Sequence, residues 1–210
     1  MLHLPNDHQI HLWYTKQSNV DGSLADQKKQ WRQATHQWIK ASLVEFYGLS
    51  PESAEWEYKS SGQPFFSHFE QPLHISISHS YEYSAFTLSE IPAGVDVEKQ
   101  LPRKNLSALW QHLNFGEEST IDSATFYRLW TQLESYTKAL GSNIWETQAI
   151  ASQLLALERN SPFYHGKLNQ AHWQFFQHHK DQTEISVAVQ SKQCLQIVMP
   201  QIEVVTSVGV

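Results

Sequence analysis

The stretch Phe126–Gly141, FYRLWTQLESYTKALG, constrains this chain most. Trp130, Glu134 and Lys138 recur at i, i+4 and i+8, so a helix gathers them on one stripe. Phe126, Leu129, Leu133 and Leu140 supply apolar cover at helical spacing, and Gly141 stands where a C-cap is expected. Upstream, Gly94–Glu98 reads GVDVE. On a strand, Asp96 and Glu98 face one way and Val95 and Val97 the other. Two carboxylates on a strand and one on a helix, with a lysine one turn beyond, form a donor set that would meet around a divalent cation. The same residues also read as an i, i+4 Glu-to-Lys pair on a wet helix, worth about a few tenths of a kcal/mol, and as acids on the outer face of a strand.

The rest of the pattern is mixed. His8–Lys16, HQIHLWYTK, alternates with Ile10, Leu12 and Tyr14 on one face, which predicts an opening strand. From Leu24 to Tyr47 the period is helical, with Trp31, Ala34, Trp38 and Ala41 on one stripe, and Gly48 and Ser50-Pro51 end it. Short strands follow at Glu55–Ser60, Leu73–Ser78 and Ser84–Leu88, with a turn at Gly62-Gln63-Pro64. Their short connections predict an antiparallel meander that runs into GVDVE and packs on the long helix. KQLPRKN after Glu98 is a polar break, which places the boundary between halves at 1–103 and 104–210. Leu106–Leu113 reads as a short helix, 115–119 as a loop, and Asp122 or Ser123 as the cap of the next helix. His172–Gln177, Glu184–Gln190 and Leu195–Met199 then read as strands.

Composition narrows the function classes. A formal charge of −6 with no basic stripe argues against a nucleic-acid surface. The single cysteine, Cys194, excludes an internal disulfide and a cysteine-built zinc site, which fits a reducing compartment. No apolar run reaches the length of a membrane span and MLHLPNDHQI carries no signal pattern, so a cytoplasmic protein is expected. The 12 histidines are scattered and lack helical ligand spacing, which leaves the carboxylates as the better metal ligands.

One further motif decides between the readings. His74–Ser80 is HISISHS, and the motifs run in the order Gly62-Gln63-Pro64, Ser78-His79-Ser80, Gly94-Val95-Asp96-Val97-Glu98 and Trp130-Thr131-Gln132-Leu133-Glu134 through Lys138 to Gly141. This series resembles the Sfp-type 4′-phosphopantetheinyl transferases, whose pattern is G-K-P, a strand ending in S-H-S, G-[IV]-D-[IV]-E, and W-[ST]-x-K-E-[AS]-x-x-K-x-x-G. The resemblance covers residues 28–141, and the element order continues to the C-terminus. The chain departs from it at Gln63 and Leu133, where the family has lysines, and at His36, near the family's arginine.

The resemblance implies an α+β fold of two similar halves, each a long helix on a small, mainly antiparallel sheet, with the active site between them. It implies transfer of the phosphopantetheine arm of coenzyme A to a serine of an apo acyl- or peptidyl-carrier protein, with magnesium as cofactor and release of 3′,5′-ADP. Asp96, Glu98 and Glu134 would hold the metal; Glu134 would accept the serine proton; Lys138 would face the pyrophosphate. Lys28, Lys29, Arg32 and His36 on the first helix, with Gly62, Gln63, Pro64, Ser78, His79 and Lys138, would bind coenzyme A. His36 and His79, at a reference histidine pKa of about 6.5, would tighten metal-free coenzyme A binding as pH falls from about 8 to 6. Coenzyme A and the carrier are the implied partners, with no nucleic acid or membrane, and two internal halves make a monomer sufficient. Three other readings stay open: a relative that binds without transferring, an unrelated carboxylate-magnesium phosphohydrolase, and a purely structural α+β domain.

Overall fold

Alternation along β1 (Gln9–Lys16) buries Ile10 and Leu12 on one face and Trp13 on the other, so this strand must be covered on both sides. The computed structural model describes residues 9–18, 20–67, 73–115, 122–193 and 196–199. His8, Cys194, Leu195 and the 116–119 part of the expected loop lie outside the described residues. Helix α1 (Leu24–Tyr47) starts at Ser23, which forms a reciprocal capping box with Asp26, and ends at Gly48 with φ +64°. Its buried stripe differs from the predicted one. Thr35 and Ser42 face inward with Trp31 and Trp38, while Ala34 and Ala41 are exposed. Both buried hydroxyls bond the carbonyl four residues back, Thr35 to Trp31 at 2.8 Å and Ser42 to Trp38 at 2.9 Å, which removes the cost of burying them.

Two sheets stack face to face between two helical layers. The first has the order β11 (Gln196–Val198), β1, β5 (Tyr83–Ser89), β4 (His74–Ser80), with β11 parallel to β1 and the other pairs antiparallel. Helix α1 covers one face through Trp38, Ile39, Leu43 and Tyr47, which pack on Trp13, Ile75, Phe86 and Leu88. The second sheet is fully antiparallel: β6 (Ala93–Lys99), β10 (Thr183–Gln190), β9 (Ala171–Lys180), β8 (Phe163–Leu168) and β7 (Glu158–Asn160). Its outer face carries α3 (Ser123–Leu140), flanked by α2 (Leu106–Leu113), α4 (Ile144–Thr147), a 3-10 turn and α5 (Ala151–Leu154). Between the sheets Ile10, Leu12, Tyr83 and Ala85 meet Val95, Val97, Ile185 and Val187. A small hairpin of β2 (Glu57–Tyr58) and β3 (Pro64–Phe65) turns at Gly62, whose φ is +82°. The α+β class with antiparallel sheets is therefore the observed one. No helix among the described residues is long and apolar enough to cross a membrane.

The predicted meander holds for β4 and β5 but not for β6. That strand pairs with β10, from the far side of the chain, and β11 returns from the same side to β1. Beside β4, β6 makes no ladder; side chains replace it. Ser76, Ser78 and Ser80 accept the Val95, Val97 and Lys99 backbone N–H groups at 3.1, 3.3 and 3.0 Å. The outward N–H groups of an edge strand are thus satisfied by hydroxyls two residues apart.

Gly94 lets α3 lie directly across β6. A Cβ there would sit 2.0 Å from the Ser135 carbonyl oxygen and 2.5 Å from the Ala139 nitrogen, both rigid backbone atoms. Gly94→Ala is expected to destabilise by about 1–3 kcal/mol by forcing the helix off the strand. Urea denaturation checks this, and an unchanged midpoint would contradict the close approach.

Candidate active site

The two predicted stripes meet where α3 crosses β6. Asp96 and Glu98 project to the α3 side of β6, and Trp130, Glu134 and Lys138 lie along the helix above them. Asp96 is almost fully buried. Its Oδ1 accepts from Lys138 Nζ at 2.7 Å and from Ser78 Oγ at 2.7 Å. Glu98 is held at both oxygens, by Ser80 Oγ at 2.8 Å and by the Trp130 indole N–H at 3.3 Å. Leu133 and Leu129 on the far side of α3 are fully buried in the helix-sheet core, whereas Leu140, predicted as cover, is exposed.

Electrostatics show an acid cluster that Lys138 and Arg103 balance only in part. Burial, then Asp96, offset in part by Lys138, and then Glu98 leave the Glu134 carboxyl raised to about 7. Glu98 is raised by burial and then by Asp96, against the opposing hydrogen bonds and Arg103. Asp96 Oδ2 is buried and has no hydrogen-bond partner among the described residues. An orphaned carboxylate oxygen beside two acids that resist ionisation fits a hard divalent cation, which takes a few carboxylates and keeps several waters. Among the described residues no three His, Cys, Asp or Glu side chains are placed to hold a metal ion together, so the fit rests on donor chemistry alone.

A pH dependence of stability follows. Glu134 binds a proton more tightly folded than unfolded, so its contribution is complete below about 4.5 and is lost as pH rises through about 7. Without metal, the native protein is expected to lose on the order of 3 kcal/mol by this route between pH 5 and 8. Thermal melts of the wild type and Glu134→Gln at both pH values check it: the wild type should fall further, and parallel curves would contradict the shift.

The basic side lies across β4. His79 alternates away from Ser78 and Ser80 toward α1, and its Nδ1 meets Ser84 Oγ at 3.1 Å. Burial, then Lys138, Arg32 and His36, lower its pKa to about 4, although the residue keeps part of its surface in water. These couplings place Arg32, His36 and Lys138 within electrostatic reach of His79, and Lys138 also contacts Asp96. His36 packs on the Trp56 ring at 4.8 Å and meets Tyr58 OH at 3.3 Å, and its pKa is also lowered, chiefly by burial. The expected tightening between pH 8 and 6 is therefore corrected: protonation of His79 belongs nearer pH 4, and His36 also titrates below the reference value. Lys28 and Lys29 are exposed on the first turns of α1. Gly62 and Pro64 shape the hairpin, and Gln63 reaches α3, donating to the Lys138 carbonyl at 3.4 Å and accepting from Lys59 Nζ at 2.9 Å.

Several residues of this site escaped the sequence reading. Ser80 had a readable signal, the period-two serines opposite Ile75 and Ile77. Arg103 had none; it donates from Nε to Tyr127 OH at 2.9 Å and acts on Glu98 only through the fold. Glu184 stands opposite Glu98 across the β6–β10 ladder, nearly buried, and accepts from Gln177 Nε2 at 2.7 Å and Gln100 Nε2 at 3.2 Å.

The strand and the helix that carry the three acids fall within a match to a known family. Residues 92–190, from the turn before β6 to the end of β10, match the family model described as the 4'-phosphopantetheinyl transferase superfamily. The chain is 31% identical over 126 residues to 4'-phosphopantetheinyl transferase AcpT of Salmonella typhimurium, covering 56% of this chain and 65% of that protein. It is 29% identical over 150 residues to AcpT of Escherichia coli (strain K12), covering 65% and 69%. To the 4'-phosphopantetheinyl transferase of Bacillus subtilis it is 26% identical over 113 residues, half of each chain.

Proposed function

We propose that this chain, whose residues 92–190 match the 4'-phosphopantetheinyl transferase superfamily model, transfers the phosphopantetheine arm of coenzyme A to a serine of an apo carrier protein. One observation carries the reading: Asp96, Glu98 and Glu134 act on one another beside Lys138, and Lys138 with Arg32 also acts on His79. A pyrophosphate ester needs both signs of charge at one place, cations for its oxygens and a base for the nucleophile.

Asp96, Glu98 and Glu134 would hold Mg2+, which when bound supplies charge neutralisation on the pyrophosphate. Coenzyme A would lie along the α1 side, its phosphates met by Lys28, Lys29, Arg32 and His79, with the Gly62-Gln63-Pro64 turn and His36 beside it. The carrier serine oxygen attacks the β-phosphorus; its bond to phosphorus forms as the pyrophosphate P–O bond breaks and 3′,5′-ADP leaves. The serine proton passes to Glu134, directly or through a water. Lys138, held between Ser78 and Asp96, offsets charge on the departing phosphate. Asp96, Glu134 and Lys138 are thus the catalytic set. The protein would work in the cytoplasm, and the two stacked sheets make one chain sufficient.

Release of 3′,5′-ADP, measured with and without an apo carrier, tests the reaction class. Carrier-dependent release is expected. Carrier-independent release would make the site a phosphohydrolase, and coenzyme A binding without release would make it a binding relative.

A further inference from the structure

We infer that Ser78 and Ser80 are positioning residues for Asp96 and Glu98, and that Ser78 is not a phosphate contact. The inference rests on the reading that these carboxylates hold a divalent cation. A serine hydroxyl has one proton and two lone pairs. Ser78 uses all three: it donates to Asp96 Oδ1 at 2.7 Å and accepts from Lys138 Nζ at 2.9 Å and the Val97 N–H at 3.3 Å. No donor remains for a phosphate oxygen unless Asp96 is released. Ser80 commits its proton to Glu98 Oε2 at 2.8 Å and a lone pair to the Lys99 N–H at 3.0 Å.

The consequence is directional. With Oδ1 of Asp96 occupied by Ser78 and Lys138, Oδ2 is the oxygen left without a partner. Backbone of a second strand, anchored by the same hydroxyls, thereby fixes which oxygen Asp96 can offer and holds one oxygen of Glu98. The strand's alternation divides its work, sending the serines to the acids and His79 to the basic side. Ser76 supplies an internal control. It makes the same kind of contact to the Val95 N–H at 3.1 Å but stands beside Gly94, where no carboxylate is available.

Mn2+ titration followed by paramagnetic resonance, with and without coenzyme A, tests this together with calorimetric titration of coenzyme A into metal-free protein. Ser78→Ala and Ser80→Ala are expected to weaken Mn2+ binding about tenfold or more, and Ser76→Ala less than about twofold. Metal-free coenzyme A affinity should change less than about twofold in all three. Where an alanine variant does not fold, Ser78→Cys or Ser80→Cys fills the same space with a weak donor and should show the same loss. Unchanged Mn2+ affinity, a wild type that binds no Mn2+, or a Ser78→Ala that loses metal-free coenzyme A affinity and keeps Mn2+ would each overturn the inference. A wild type that binds Mn2+ without transferring, whose serine variants lose the metal, would sustain it and remove the transferase reading.

Discussion

Asp96→Asn is expected to lower transfer by about two to three orders of magnitude while leaving the protein folded. The substitution is nearly isosteric. Its amide oxygen can still accept from Ser78 and Lys138, the two contacts that Oδ1 makes now. The amide nitrogen replaces Oδ2, the buried oxygen without a partner, and a nitrogen that only donates cannot hold a cation. Lys138 loses its counter-charge, but it is partly exposed and solvent moderates that loss. Initial rates at saturating Mg2+ beside a thermal melt separate the two effects. A folded variant with a near wild-type rate would remove Asp96 from the machinery.

Leu133→Lys is expected to cost stability rather than to restore a missing phosphate contact. The family pattern has lysine at this position, yet Leu133 is fully buried with Phe126, Leu129, Tyr136 and Phe175. The variant forfeits about 1.5–3 kcal/mol of apolar burial and adds an ammonium without a partner. A total loss of at least about 3 kcal/mol lowers the melting temperature by roughly 6–12 °C in a chain of this size. Coenzyme A affinity should not improve. A stable variant with tighter binding would mean that this face of α3 lines the cleft.

The sequence made α1, α3 and the orientation of GVDVE readable because each is set by local geometry. Ser23, Gly48, Asp122 and Gly141 cap the helices as their residue types demand. Asp96 and Glu98 share a face because a strand alternates. What was not readable depends on distant partners. The short link from β5 to β6 suggests a hairpin, but Val95 and Val97 need the other sheet while Gly94 and Asp96 need α3. Only a strand covered on both faces satisfies both, and β10 supplies that place. Apolarity alone ranks Ala34 and Ala41 above Thr35 and Ser42 for the buried stripe; back-bonding to the helix reverses the order. The low pKa of His79 also needed the fold, since Arg32 and Lys138 are remote in the chain.

The most direct test of the account is the intact mass of an apo carrier protein after incubation with this protein, coenzyme A and Mg2+. The account predicts a gain of one phosphopantetheine per carrier. The gain should vanish when the acceptor serine of the carrier is replaced by alanine, and should fall steeply with Asp96→Asn. An unchanged carrier mass, with the protein folded and coenzyme A bound, would contradict it.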